Sequence, residues 1–365
     1  MNTWGNKIRL SIFGESHGEA IGIVIDGLEA GIKLNLENIN KFIERRKAGK
    51  SSFTTSRKEK DEYKILSGYK DGYTTGAPLC VIFENTNTIS KDYENLKDLL
   101  RPNHADYPAG IKFKGFNDVR GGGHFSGRIT TSIVFAGAVA KQLLKNQGIL
   151  VGAHIKSLYD IEERDFAEGD ITEENINKLR GMILPALEDG VAQKMEEAIM
   201  KAREEENSLG GIVELMITGL KPGIGDPFFE SIESEISRMI FSIPSTKGIE
   251  FGAGFGITRM TGYEANDEMY FDENGNVKSY TNNNGGIIGG ISTGMPISFK
   301  VAIKPTASIS KAQKTVNLET KKSDILEVKG RHDPVIVPRA IVVLECATAI
   351  VILDRLMESQ KNRSL

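Results

Sequence analysis

The order in which strand-like and helix-like runs follow one another constrains this chain most. Two alternating apolar runs, Ile8 to Phe13 and Ala20 to Asp26, stand side by side with only a glycine-flanked turn between them. Alternation of period two marks half-buried strands. Leu36 to Arg46 then changes period, with Leu36, Ile39, Phe42 and Ile43 on one helical face. Asp61 to Leu66 and Pro78 to Glu84 read as strands again. Arg128 to Asn146 reads as an Ala-rich apolar helix launched from a glycine-rich loop. Glu173 to Arg180 and Ala186 to Asn207 read as further helices, the second amphipathic through Val191, Met195, Ile199 and Ala202. Ile212 to Ile217 and Ile297 to Ile303 are expected as strands, and Glu230 to Phe241 as a helix ended by Pro244. Pro338 opens a long C-terminal helix reaching about Ser359. Strands come in groups and helices come in groups, without the steady alternation of a doubly wound parallel sheet. The fold class expected is therefore α+β. No repeat, low-complexity tract or Pro/Ser-rich linker breaks the 365 residues, and Asp160 to Asp170 reads only as a charged surface loop. One domain over 1–365 is expected.

Bulk properties exclude several functions. The formal net charge is -3, so no global field recruits nucleic acid. The most apolar stretch, Ala340 to Leu353, is short and carries Glu345, which suits a core helix and not a membrane span. Cys80 and Cys346 lie far apart in apolar surroundings and form no Cys-x-x-Cys pair. Buried thiols suit a reducing cytoplasm, and the N-terminus lacks the apolar segment of a signal peptide. Glycine is the outlier at 39 residues of 365, against about 7% in ordinary proteins. Its clusters fall beside His and Arg. Clustered glycine lets backbone amides approach a ligand closely, and the neighbouring cations point to an anion.

Five segments carry candidate chemistry. Gly14-Glu-Ser-His-Gly18 fits the Gly-x-Ser-x-Gly turn of a serine hydrolase using Ser16. It also presents His17, an imidazole suited to proton transfer near neutral pH. A hydrolase elbow needs a helix after the serine; here a strand is expected. His104 lies in Arg101-Pro-Asn-His-Ala-Asp106, a Pro-containing loop between a cation and an acid. Gly121-Gly-Gly-His-Phe-Ser-Gly-Arg128 precedes the strong helix and suits an anion at a helix N-terminus. Arg45, Arg46, Lys47, Lys50, Arg57, Lys58 and Lys60 form a basic loop able to fork phosphate or carboxylate oxygens. Gly330-Arg-His-Asp-Pro334 unites cation, imidazole and carboxylate in one turn. The histidines lack metal-ligand spacing. A non-enzymatic phosphoanion-binding protein would explain the arginines but leave His17 and His104 idle.

Taken in order, these segments resemble the chorismate synthase family. The resemblance also rests on Thr54-Thr55, Ser242-Ile-Pro, Gly285-Gly-Ile-Ile-Gly-Gly290 and Lys304-Pro-Thr, and it spans nearly the whole chain. It implies a β-α-β sandwich of antiparallel sheets around central helices, assembled as a homotetramer. It implies 1,4-anti elimination of phosphate from 5-enolpyruvylshikimate-3-phosphate to give chorismate, with reduced FMN required and no net redox change. By resemblance, His17 and His104 handle protons, and Ser16 and Asp333 relay them. Arg46, Arg101, Arg128 and Arg331 line the substrate pocket. FMN contacts carry over to Ser126, Gly289, Lys304, Pro305, Thr306, Ala307, Ser308 and Arg331, with His124 and Phe125 as neighbours by position. Arg46 and Ser52 match positions that contact NADP. No dinucleotide fold is evident, so NADPH would act indirectly, through a separate flavin reductase. The chain departs from the family at Ser52, often Arg; at His124-Phe125, often Arg-Ser; and at Asn103, often Gly.

Overall fold

A computed structural model describes residues 2–47, 49, 61–85, 99–328 and 333–362. Two five-stranded antiparallel sheets enclose a layer of helices. The first sheet holds β1 (Thr3–Trp4), β2 (Arg9–Gly14), β3 (Ala20–Asp26), β4 (Tyr63–Ser67) and β7 (Leu79–Glu84), in the order β1-β2-β3-β7-β4. A short ladder of β5 (Tyr69–Lys70) and β6 (Tyr73–Thr74) sits on the connection to β7. The second sheet holds β8 (Leu150–Leu158), β9 (Ile161–Glu162), β10 (Gly211–Thr218), β11 (Thr246–Phe251) and β16 (Ile297–Ile303), in the order β11-β16-β10-β8-β9. Three further hairpins stand outside the two sheets: β12 (Met269–Phe271) with β13 (Val277–Ser279), β14 (Ile287–Ile288) with β15 (Ile291–Ser292), and β17 (Gln313–Asn317) with β18 (Lys322–Leu326). This is the α+β class expected.

The helices are α1 (Leu36–Arg46), α2 (Asp106–Lys112), α3 (Thr130–Lys145), α4 (Glu173–Gly181), α5 (Val191–Glu204), α6 (Ile232–Ile240), α7 (Gly262–Ala265) and α8 (Val337–Asn362). α3 is buried from Thr130 to Lys141, and α8 is buried continuously from Ala340 to Leu356. A helix apolar on all sides belongs inside. One apolar cluster joins Ile21 and Phe83 of the first sheet, Phe135 and Leu344 of these helices, and Ile155 and Val301 of the second sheet. Gly137 is where α3 and α8 meet: a Cβ there would lie 2.2 Å from Cys346 Cβ and 2.4 Å from its Cα. Only a hydrogen fits. No described helix is long and apolar enough to cross a membrane.

Several expected boundaries move. The Arg128 helix starts at Thr130, after two 3-10 turns, Arg120–Phe125 and Gly127–Ile129. The Ala186 helix starts at Val191, after Gly190 turns into the left-handed region at φ +81°. β8 was not anticipated. It is buried on both faces, so it shows no alternation, and Gly152 and His154 interrupt its apolar run. Cys346 is buried as expected, whereas Cys80 is half-buried.

Candidate active site

The pentapeptide turn joins β2 to β3, with Gly14 paired to Ile21. A strand follows Ser16, not a helix, so the hydrolase elbow is absent and the reading of Ser16 as nucleophile is not supported. Ser16 Oγ instead donates to the carbonyl oxygens of Gly121 at 3.1 Å and Arg120 at 3.3 Å, and Ser16 N donates to Gly123 O at 3.2 Å. Asn85 Nδ2 holds the turn from its other side, donating to Glu15 O and Gly18 O, both at 2.9 Å. The turn is therefore pinned to the glycine loop before any ligand arrives.

That loop takes a conformation suited to glycine. Gly121, Gly122 and Gly123 have φ of +59°, +86° and +53°. A Cβ on Gly121 would stand 2.6 Å from His17 Nε2 and 2.6 Å from Ser16 Oγ, and one on Gly122 would stand 3.6 Å from His104 Nε2. Two imidazoles 87 positions apart in sequence thus face adjacent glycines. His17 is buried, at 7% exposure.

The loop Leu100–Ala105 orients the second imidazole. Asp106, first residue of α2, accepts from His104 Nδ1 at 2.6 Å, from Arg101 Nε at 2.8 Å, from Arg101 Nη2 at 2.7 Å and from Arg101 N at 3.1 Å. Burial works against a charged carboxyl here, but the bonds to Arg101 and His104 outweigh it and hold Asp106 well below the usual range. With Nδ1 facing the carboxylate, Nε2 is the atom presented to Gly122. Asn103 takes φ +61°, a conformation Asn tolerates, so its replacement of a family glycine fits the turn. Lys304, immediately after β16, donates from Nζ to Asn103 O at 2.5 Å. Burial, with Lys247 adding to it, lowers the Lys304 ammonium from its ordinary value. Two residues on, Thr306 Oγ1 is buried with no hydrogen-bond partner among the described residues.

The arginines sit on carboxylates. Buried Asp61 accepts from Arg46 Nη2 at 2.6 Å and from Arg128 Nη1 at 2.5 Å. Burial alone would raise the Asp61 carboxyl; Arg46 and Arg128 reverse the sign and lower it. Arg128 Nε also donates to Asn85 Oδ1 at 2.7 Å, which links this pair to the pentapeptide turn. Asp333 pairs with Arg339 at 2.5 Å, and Arg339 Nε donates to Arg46 O at 3.0 Å. Arg120 forks onto Asp118 at 2.8 and 2.9 Å. Its bond lowers the Asp118 carboxyl, and the charge of nearby His17 adds to the effect.

Other expected site residues fall elsewhere. His124 bonds Gly14 O through Nδ1 at 2.7 Å and Asn2 Oδ1 through Nε2 at 3.3 Å, so its ring latches the end of β2. The Phe125 ring is 6.2 Å from that of Phe113. Ser126 Oγ accepts from Arg128 N at the start of a 3-10 turn. Gly289 lies in the β14–β15 turn, and Gly285 of the same segment bonds Ser298 at the start of β16. Lys304 follows the opposite end of β16. At ~3.3 Å per residue the strand's 7 residues separate Gly289 from Lys304–Ser308 within one chain. Arg331, Ser52, Thr54, Thr55 and the basic loop from Lys50 to Lys60 lie outside the described residues. Asp106 was within sight of a sequence reading, two residues from His104 in a motif already singled out. Asp61, Asn85 and Arg339 carried no local signal.

Two imidazoles on one glycine loop, beside guanidinium groups preset on carboxylates, suit an enzyme that moves protons on a small polyanion. Comparison with known proteins agrees. The family model for chorismate synthase matches residues 8–357. The chain is similar to the chorismate synthase of Methanocaldococcus jannaschii, 43% identical over 98% of this chain and 97% of that one. It is 45% identical to that of Thermococcus kodakarensis, over 97% of both. A crystal structure of chorismate synthase superposes with a TM-score of 0.73 at 27% identity, covering 98% of this chain and 93% of that one. The chain belongs to the chorismate synthase family, and it is an enzyme, a carbon–oxygen lyase.

Proposed function

We propose that the chain performs the family's elimination through His17 and His104. Phosphate leaves 5-enolpyruvylshikimate-3-phosphate with a C6 hydrogen, and chorismate forms. The observation that carries this reading is the approach of both Nε2 atoms to Gly121 and Gly122. A departing phosphate needs a proton, and a group oriented as His104 is by Asp106 can deliver one. His17, buried beside Ser16 Oγ, handles the second proton, with Ser16 and Asp333 as relays. Arg101, Arg46 and Arg128, together with Arg331, receive the substrate's phosphate and carboxylates.

Reduced FMN fits this site. Among the described residues Thr306 Oγ1 is buried without a hydrogen-bond partner, and Lys304 Nζ meets the Asn103 carbonyl beside it, so this stretch offers a hydroxyl and an ammonium to a polar, anionic group. Lys304, Pro305, Thr306, Ala307, Ser308 and Ser126 would hold it, with Arg331. When bound there, reduced FMN would supply electron density and an acceptor for the C6 hydrogen, while these residues hold and orient it. Family membership further supports a cytoplasmic homotetramer supplied by a separate flavin reductase, with Arg46 and Ser52 at the NADP-matching positions.

The test is anaerobic incubation with chemically reduced FMN and substrate, following chorismate absorbance. Folded enzyme that forms none would refute the assignment. His17→Ala and His104→Ala are each expected to lower kcat/KM by about 10- to 10,000-fold; unchanged turnover in either removes that histidine from the mechanism.

A further inference from the structure

A second cationic site stands apart from the histidine loop. Arg46 and Arg45 are neighbours on α1 but point apart. Arg46 meets Asp61, whereas Arg45 Nη1 meets Glu345 Oε2 at 3.0 Å. Lys141 Nζ of α3 lies 3.0 Å from the same oxygen, and Arg180 Nε of α4 lies 3.6 Å from it. Glu345 is 1% exposed, so its charge faces these cations and not water. The same three cations surround one aromatic ring: Arg180, Lys141 and Arg45 stand 4.9, 5.4 and 5.9 Å from the Phe42 centroid.

These residues line a groove of about 1280 Å³ between α1, the end of α3 and α4. Its remaining acids are spent on other partners. Glu37 pairs with Lys41 at 2.9 Å, Glu173 with Lys145, and Glu44 with Lys47. Among the described residues one carboxylate therefore answers three cations, which leaves a surplus of two positive charges at a half-buried wall. That surplus is costly. Burial, with repulsion from Arg180, overrides Glu345 and pulls Lys141 down to about 8. Arg180 is lowered by burial as well, with repulsion from Arg45 adding to it. Cys346, beside them on α8, is pushed up to about 12 and stays a neutral thiol. A protein gains by filling such a site with the missing negative charge.

We infer that this groove is a second anion site, binding a small dianion of the phosphate-monoester class on Arg45, Lys141 and Arg180 over Phe42. It does not depend on the assignment of the histidine loop.

Sulfate is the probe, since it stays a dianion across the range used. Titration calorimetry on the full chain should count sulfate bound per subunit at pH 8. Wild type should bind at the groove whether or not the histidine loop also takes sulfate. Arg180→Gln leaves the Arg45 and Lys141 pairs to Glu345 in place, so it should fold. It should weaken groove binding at least tenfold while leaving kcat/KM within twofold of wild type. Binding should also take up a fraction of a proton at pH 8, as Lys141 regains its charge. That uptake should show as a heat that differs between Tris and phosphate-free HEPES. Sulfate binding identical in Arg180→Gln and wild type would overturn the proposal, as would loss of all sulfate binding together with activity. Binding without proton uptake would remove Lys141 from the site and equally overturn it.

Discussion

Asp106→Asn isolates what the carboxylate does for His104. Four donors converge on two carboxylate oxygens: Arg101 N, Nε and Nη2, and His104 Nδ1. An amide offers one oxygen. If that oxygen serves Arg101 N and Nε, the amide N–H faces Nδ1, and a neutral His104 must carry its proton on Nε2. If it serves Nδ1, two N–H donors of Arg101 face the amide. The ionic loss can be sized. Unit charges about 4 Å apart at an effective dielectric of about 20 interact by about 4 kcal/mol. Both side chains keep some exposure, 22% for His104 and 16% for Asp106, so solvent can remove up to about half of that. A loss of about 2–4 kcal/mol in stabilising the charged imidazole is about 30- to 1,000-fold in rate. The assay is anaerobic turnover with reduced FMN, with kcat and KM separated. Nitrogen-15 NMR of the ring should report the neutral proton on Nδ1 in wild type and on Nε2 in the variant. A folded variant within threefold of wild type, with an unchanged ring signal, would refute the orienting role.

Three further outcomes follow from packing and charge. Gly137→Ala should improve helix propensity by about 1 kcal/mol yet destabilise overall, because overpacking typically costs about 1–3 kcal/mol and the new Cβ would lie 2.2 Å from Cys346 Cβ; a urea midpoint above wild type would show that α3 and α8 are not in contact there. Asp61→Asn removes the buried carboxylate that Arg46 and Arg128 share, and breaking a buried pair costs about 3–5 kcal/mol; a urea midpoint within error of wild type contradicts the geometry. His154 is buried between Glu163 at 3.0 Å and Glu214 at 2.7 Å; burial disfavours its charge, but the two glutamates prevail and raise it above its ordinary value. Its stabilisation is therefore complete below about pH 6.5 and fades as pH rises through the folded value, so wild type should melt lower at pH 9 than at pH 7 and His154→Gln should flatten that slope.

The parts of the fold legible in the sequence were those with an unbroken local period. Leu36–Arg46, Ala20–Asp26 and Ile297–Ile303 match α1, β3 and β16 to the residue. α1 has a further signal, since Asn35 caps it by accepting from Asn38 N at 2.9 Å. β8 was illegible for a physical reason: its polar member, His154, is satisfied by Glu163 and Glu214, and nothing local reveals partners 9 and 60 positions away. The site divides in the same way. His104, Arg101 and Asp106 form one local unit, so the motif was readable. The approach of His17 to Gly121 closes a loop of over one hundred residues, and no spacing rule predicts it. Only the family resemblance implies that the two histidines serve one site.

The carboxylates explain how so many cations coexist near the glycine loop without substrate. Asp106 holds Arg101, Asp61 holds Arg46 and Arg128, and Asp118 holds Arg120. Each guanidinium is thereby fixed in direction before a polyanion arrives, and fixed dipoles stabilise developing charge without reorganising. The arrangement costs affinity, because an incoming phosphate must compete with a carboxylate already in place. It gains timing at one point. Asp106 serves Arg101 and His104 together, so any anion that draws Arg101 away leaves the carboxylate more fully to the imidazole. With Arg101 and His104 in the roles proposed above, binding and proton transfer would be coupled through a single side chain, and Asp106→Asn should then depress kcat and not only raise KM.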